Sequence, residues 1–255
     1  YISPKIWAWN QKRVLKIKRD VDQMYCILPF EVDFYQKWGM EVHYVGNPLL
    51  DEKALFVPDT NFREHQELSD QKIIALLPGS RKQEIERLLP DMLAITDQFP
   101  QYQFVIAAAP TFTSAYYQQF IGDKKVKLVF AQTYNLLQNA HAALVASGTA
   151  TLETALFSVP QVVLYRGGAI SVGIARLVIK IRFISLVNLI MDRKVVTELI
   201  QKDCNSVKIT AHLTAIVEGK EREKMLSDYA ELNALMGTAG ASERTAKLMV
   251  DYLKS

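Results

Sequence analysis

The chain has 255 residues, 49% of them hydrophobic and 22% charged, which is the composition of an ordinary globular protein with one large or two modest domains. Thirty Lys and Arg against 27 Asp and Glu give a net charge of +3, too small a surplus to indicate a nucleic-acid-binding protein. The two cysteines lack CxxC spacing and the four histidines lack paired spacing, so we expect neither a disulfide framework nor a metal cofactor.

The first 45 residues predict a basic helix followed by a β-α-β passage. Basic residues with apolar ones between them indicate a solvated helix over residues 10–20, and residues 24–29 predict a short buried strand. A helix over 31–38 ends at Gly39, a residue that tolerates positive φ, and 41–45 predict a second strand. The charged, proline-containing stretch that follows has the composition of a connection between domains.

From residue 71 onward, apolar strands alternate with amphipathic helices. We expect strands at 72–77, 103–108, 126–130, 142–146 and 161–165, and helices at 83–93, 113–120, 134–139 and 150–157. This alternation predicts an α/β fold with a doubly wound parallel sheet, covered on both faces and binding ligands at the carboxyl ends of its strands. A charged helix over 218–235 and a last helix from Ser242 complete the predicted elements.

Residues 143–153, ALVASGTATLE, join an apolar strand to a helix through Ser147, Gly148 and Thr149. The first amides of a helix lack internal partners and carry partial positive charge, so such a turn predicts a phosphate site. Glu153 follows the threonine by one turn, where its carboxylate could accept hydrogen bonds from both hydroxyls of a ribose. The alternatives are a carboxylate that complements the helix dipole and a turn that serves only packing.

A second glycine turn, LPGSRKQEI at residues 77–85, contains Gly79, Ser80 and Arg81 at the start of another predicted helix. Ser80 with Gln83 fits a capping box, a structural alternative that leaves the arginine unexplained. If the two strands are neighbours, both turns face one crevice in which a diphosphate could sit. Neither turn is GxGxxG or a P-loop, so a nucleotide sugar is favoured over a dinucleotide or NTP.

Between residues 153 and 192 there is no acidic side chain, although basic residues occur among apolar ones. These basic residues are Arg166, Arg176, Lys180 and Arg182. A basic, apolar segment predicts contact with anionic lipid. The alternative is a buried helix with snorkelling basic side chains at its edges. Charges interrupt the segment too often for a membrane span.

Four blocks, at residues 2–13, 77–85, 146–157 and 185–190, together resemble the lipid-A-disaccharide synthases. The resemblance implies an inverting, metal-free glycosyltransferase of lipid A biosynthesis with the GT-B fold, in which two Rossmann-like domains face a cleft. It implies transfer of 2,3-diacylglucosamine from UDP-2,3-diacylglucosamine to 2,3-diacylglucosamine 1-phosphate, giving the β-1,6 disaccharide and UDP. The implied location is the cytoplasmic face of the inner membrane of a Gram-negative bacterium, with peripheral attachment.

The resemblance also implies a domain plan. Residues 1–45 would be a remnant of the amino-terminal acceptor-side domain, 46–70 the linker, 71–235 the UDP-sugar-binding domain and 236–255 a terminal helix that packs back on the amino-terminal side. The rest of the amino-terminal domain and the family's general base would precede this sequence, so we expect UDP binding without turnover by this chain alone. We leave a homodimer open.

By resemblance, six turn residues would contact the UDP diphosphate, namely Gly79, Ser80, Arg81, Ser147, Gly148 and Thr149. Glu153 would hold the ribose, and residues 129–132 would contact uracil. Arg81 and Asn188 would be the catalytic residues of this part of the enzyme. Asn47 stands where the resemblance leads us to expect histidine.

Two alternative functions stay open. One is another GT-B transferase or epimerase that uses UDP-N-acetylglucosamine, which would not need the basic, apolar segment. The other is a non-catalytic nucleotide-binding module that associates with a membrane.

Overall fold

The structure, a computed structural model, describes residues 1–167 and 182–254 and falls into two units. Of the described residues, unit 1 contains 1–56, 182 and 231–254, and unit 2 contains 57–167 and 183–230. The terminal segment is therefore grouped with the amino-terminal residues.

Unit 1 begins with short helices and a two-stranded parallel sheet. Its α-helices and strands up to residue 56 are α1 (Ile6–Trp9), α2 (Val14–Asp20), β1 (Tyr25–Cys26), α3 (Pro29–Gln36), β2 (His43–Tyr44) and α4 (Pro48–Leu55). The first strand is shorter than predicted because Pro29 starts a helix, where its missing N–H costs nothing. Ile6, Val14, Cys26 and Tyr35 pack in its core.

Unit 2 is built on a six-stranded parallel sheet. Its strands are β3 (Lys72–Leu77), β4 (Tyr102–Ala108), β5 (Val126–Phe130), β6 (Ala140–Ala146), β7 (Gln161–Tyr165) and β8 (Thr197–Ile200). Its helices up to residue 217 are α5 (Phe62–His65), α6 (Lys82–Leu93), α7 (Ser114–Ile121), α8 (Thr133–Asn139), α9 (Thr149–Leu156), α10 (Leu186–Met191) and α11 (Ser206–Val217).

The strand order is β5-β4-β3-β6-β7-β8, which is the 3-2-1-4-5-6 order of a Rossmann sheet when its strands are counted along the chain. Ile73, Ala75 and Leu77 pack in one cluster with Leu136 and Leu137 of α8. Ile74 and Leu76 lie on the opposite face of β3 because strand side chains alternate, and they are also fully buried. The predicted Rossmann-like parallel sheet with both faces covered is confirmed.

The chain ends in α12 (Lys220–Met236) and α13 (Ala241–Lys254). In unit 1 the Asp51 carboxylate accepts hydrogen bonds from the backbone amides of Gly240, Ala241 and Ser242, at 2.6–3.1 Å. Arg244 donates to the Val45 carbonyl oxygen at 2.9 Å. These bonds fix the start of the terminal helix to α4 and to the residue that follows β2. Among the described helices, none has the length and apolar character needed to span a bilayer.

Candidate functional site

The two glycine turns follow neighbouring strands. β3 pairs with β6 in parallel, and Leu77 lies opposite Val145, so both strands end at the same level of the same edge. The strand order reverses between these two strands, and ligands of open α/β sheets bind beyond the carboxyl ends at such a switch point. The fold therefore places the two turns at the same edge of the sheet in unit 2, where such a crevice is expected.

The turn after β6 leaves the first helical amides of α9 open. Gly148 is the N-cap residue, no side chain caps the helix, and its first turn contains no acidic residue. The φ of Gly148 is 166°, an extended conformation that any residue adopts, and a Cβ at this position would meet no atom within 4 Å. Neither backbone conformation nor packing in the described chain requires glycine here, whereas a ligand approaching these amides would.

Ser147 has a different role from the one predicted. Its hydroxyl donates to the Ile184 carbonyl oxygen at 3.2 Å, and its N–H donates to the Leu164 carbonyl oxygen at 2.9 Å. The predicted hydroxyl donor to phosphate is thus already used within the protein. Ser147 thus fixes the turn against the segment that precedes α10, and its contact with phosphate stays a prediction.

Thr149 and Glu153 lie four residues apart on α9 and therefore share one face of the helix. Thr149 is exposed and Glu153 is half-buried. The Tyr134 hydroxyl, on α8, donates to Glu153 Oε1 at 3.3 Å, and the Tyr134 ring packs against Phe157 with centroids 4.9 Å apart. Tyr134 thus orients the carboxylate, a role that sequence reasoning missed because 19 residues separate the two.

The turn after β3 is closed by a glutamate. Gly79 has a φ of +101°, and a Cβ there would clash with the Glu84 side chain, so glycine is needed for the fold itself. The N-cap of α6 is Arg81, whose N–H donates to Glu84 Oε2 at 3.3 Å and whose Nη1 donates to Oε1 at 3.2 Å. The capping box considered for Ser80 with Gln83 is therefore wrong by one position.

Asn188 is buried, with 1% of its surface exposed, and its amide is fully engaged. Its oxygen accepts from the Val195 and Val196 amides at 2.7 and 2.9 Å, and its nitrogen donates to the Val196 carbonyl oxygen and to Glu198 at 2.9 Å each. Two donors and two acceptors are all that an amide side chain offers. In this structure the Asn188 amide holds residues 195–198 in place, and its catalytic role stays a prediction.

Glu198 on β8 is a second residue that the sequence reasoning missed. Its carboxylate accepts from the Ile184 amide at 3.0 and 3.2 Å, from the Ser185 amide at 2.9 Å, and from Asn188. Since Ile184 in turn accepts from Ser147, the carboxylate holds the segment against which the Gly148 turn rests.

The basic residues predicted to contact lipid are in different situations. Arg166 Nη2 lies 2.8 Å from Asp91 Oδ2 and also donates to the Cys204 carbonyl oxygen. The side chain therefore forms an ion pair within unit 2, and its contact with lipid stays a prediction. Burial raises the pKa of the Asp91 carboxyl, and Arg166 opposes the rise. Arg176 and Lys180 lie outside the described residues, and Arg182 is exposed.

Among the described residues, two kinds of group at these turns can stabilise an anion. They are the open amides of α9 and the Arg81 guanidinium, which is 83% exposed at the other turn. In the described parts of the chain, no group of three or more His, Cys, Asp or Glu side chains could hold a metal ion.

Comparisons with known proteins bear on the family and the fold. The family model described as lipid-A-disaccharide synthetase matches residues 1–250. A lipid-A-disaccharide synthase of Myxococcus xanthus is 41% identical over 261 residues, covering 99% of this chain and 68% of the relative.

Two solved structures share the fold. An MnaA–UDP complex of S. aureus has a TM-score of 0.63 at 16% identity, covering 91% of this chain and 60% of its own. The calicheamicin glycosyltransferase CalG4 has a TM-score of 0.57 at 15% identity, and the match covers 91% of this chain and 54% of CalG4. The chain thus spans less than two thirds of either solved protein.

Proposed function

The chain belongs to the lipid-A-disaccharide synthetase family, and from this premise we propose that unit 2 binds the UDP part of a UDP-2,3-diacylglucosamine donor. The proposed reaction is transfer of the sugar, with inversion, to 2,3-diacylglucosamine 1-phosphate. This proposal extends the coarser conclusion that the family carries, a glycosyltransferase of lipid A biosynthesis.

One observation supports the donor site above the others. The two glycine turns leave adjacent parallel strands at the switch point of a Rossmann sheet, and one of them exposes uncapped helix amides. A pyrophosphate placed there would receive hydrogen bonds from α9 on one side and from Arg81 on the other.

The same residues have a part in the proposed chemistry. When the bond between the anomeric carbon and the diphosphate breaks, its electron pair goes to the diphosphate oxygen. Arg81 and the amides of Gly148 and Thr149 would stabilise the charge that develops on that oxygen, as preorganised donors do. Ser80 and Gly79 shape the turn that carries the arginine.

Glu153 is proposed to accept hydrogen bonds from the ribose hydroxyls. Such a bond to a charged group contributes about 1.5–3 kcal/mol, which is tenfold or more in affinity. Tyr134 limits the conformations of the carboxylate before the ligand arrives, so less entropy is lost on binding.

Both proposed substrates carry acyl chains, and we propose that the protein meets them at an anionic membrane surface. Helix α2 supports this, because exposed Lys16 and Lys18 lie near Leu15, which is 58% exposed. Basic residues near such a surface contribute about 1 kcal/mol each. The protein should sediment with vesicles that contain anionic lipid, and sedimentation equal to that with neutral vesicles would refute the membrane proposal.

Calorimetric titration with UDP tests the donor site. We expect Arg81→Ala and Glu153→Ala each to weaken UDP binding about tenfold or more. Arg87→Ala, six residues further along α6, removes the same side chain away from the turn and should leave the affinity unchanged. Unchanged affinity in both site variants would overturn the proposal.

A further inference from the structure

Glu84 already occupies the anion position at the start of α6. Its carboxylate accepts the Arg81 N–H at 3.3 Å and lies 3.2 Å from the Arg81 guanidinium. It also fills the space beside Gly79 that a side chain would otherwise need. The glutamate is 33% exposed, whereas the arginine is 83% exposed, so the guanidinium remains accessible from solvent on its other sides.

The two helix starts that face the crevice therefore differ in charge. α9 has a glycine N-cap and no acidic residue in its first turn. α6 has an acidic residue in its first turn, bonded to its own N-cap. A ligand phosphate meets open amides at α9, but at α6 it meets an arginine that is already paired with a carboxylate.

We propose that Glu84 is an internal counter-anion of the donor site, which competes with the diphosphate for Arg81. This inference rests on the proposed UDP function. A diphosphate that binds the guanidinium either displaces Glu84 Oε1 or lies beside a like charge, and both weaken binding. The competition acts on phosphate alone, so Glu84 lowers affinity for UDP without affecting recognition of the nucleoside.

The experiment compares Glu84→Gln with a matched control on the same helix. Glutamine keeps an oxygen that can accept the Arg81 N–H, so the start of α6 retains its cap, while the negative charge is lost. Glu86→Gln makes the same charge change in a carboxylate that pairs with Lys82 at 3.8 Å. Thermal unfolding of both variants checks that the fold is intact.

Calorimetry with UDP and with uridine gives the readout. Since an exposed ion pair is weak, we expect Glu84→Gln to bind UDP about two- to fivefold more tightly and Glu86→Gln to match the wild type. Uridine affinity should be equal in all three proteins. If Glu84 only stabilised the fold, Glu84→Gln would change the affinities for UDP and uridine alike or would weaken UDP binding.

The outcomes separate the two proposals. UDP binding by the wild type with equal or weaker binding by Glu84→Gln would overturn the counter-anion role alone. Absence of UDP binding by the wild type would overturn the proposed function and this inference together. Tighter binding of UDP and uridine alike would also overturn the inference, because the gain would not come from the phosphates.

Discussion

Substituting alanine for Gly148 separates the ligand role of this turn from its role in the fold. The backbone there is extended, with φ 166°, and an added Cβ would meet no protein atom within 4 Å. Alanine in a compatible conformation stabilises a protein by about 0.4–1 kcal/mol, because it restricts the unfolded chain. We therefore expect a melting temperature equal to that of the wild type or a few degrees higher.

The effect on UDP should be of opposite sign. A methyl group at the start of α9 keeps a phosphate oxygen away from the open amides, and each hydrogen bond to a charged group is worth about 1.5–3 kcal/mol. Loss of one such bond corresponds to roughly 10- to 100-fold weaker binding. Stability and affinity should thus change in opposite directions in a single variant.

The assay pairs calorimetric UDP titration with thermal unfolding. Gly79→Ala is the contrasting variant, since its φ of +101° and the nearby Glu84 side chain predict a loss of about 1–3 kcal/mol in stability. If Gly148→Ala binds UDP as tightly as the wild type, the phosphate does not approach the α9 amides and the reasoning fails.

Three further predictions concern residues that support the site or the fold. Glu198→Ala removes the acceptor of the Ile184 and Ser185 amides, so it should lower the free energy of unfolding by about 1–3 kcal/mol and weaken UDP binding. An unchanged urea midpoint would contradict this. Asp51→Ala removes the cap of α13 and should cost about 0.5–2 kcal/mol, with faster amide exchange in residues 241–254; exchange equal to that of the wild type would refute it. Burial lowers the pKa of His141, whose ring bonds to the Val217 carbonyl oxygen at 2.7 Å. Because the unfolded chain therefore takes up a proton at higher pH than the folded protein, the free energy of unfolding should fall as the pH drops below about 6.5. His141→Gln should flatten that dependence, whereas a flat wild-type profile would contradict it.

The central part of unit 2 could be predicted from sequence because its strands are short apolar runs between clear helix signals. From residue 72 to 165, predicted and observed limits differ by no more than two residues. β8 was missed because it is an edge strand in which only Leu199 is buried, so it lacks a continuous apolar run. β1 was predicted too long because the apolar run continues through Leu28 into the start of α3.

The turns of the candidate site were visible in sequence, but their partners were not. Glycine before a helix is a local signal, so Gly148 and its neighbours could be identified. The Ser147 hydroxyl donates to Ile184, and the Ser185 N–H donates to Glu198, so each bond joins residues that are far apart in sequence. No local pattern shows that both N–H groups and the oxygen of the Asn188 amide are bonded within the protein, so its partners could not be predicted from the sequence.

A crystal structure of the chain with UDP tests the central claim most directly. The account predicts one pyrophosphate with oxygens about 2.7–3.2 Å from the amides of Gly148 or Thr149 on one side and from the Arg81 guanidinium on the other. A UDP whose phosphates contact only one of the two turns, or lie away from the carboxyl ends of β3 and β6, would contradict it.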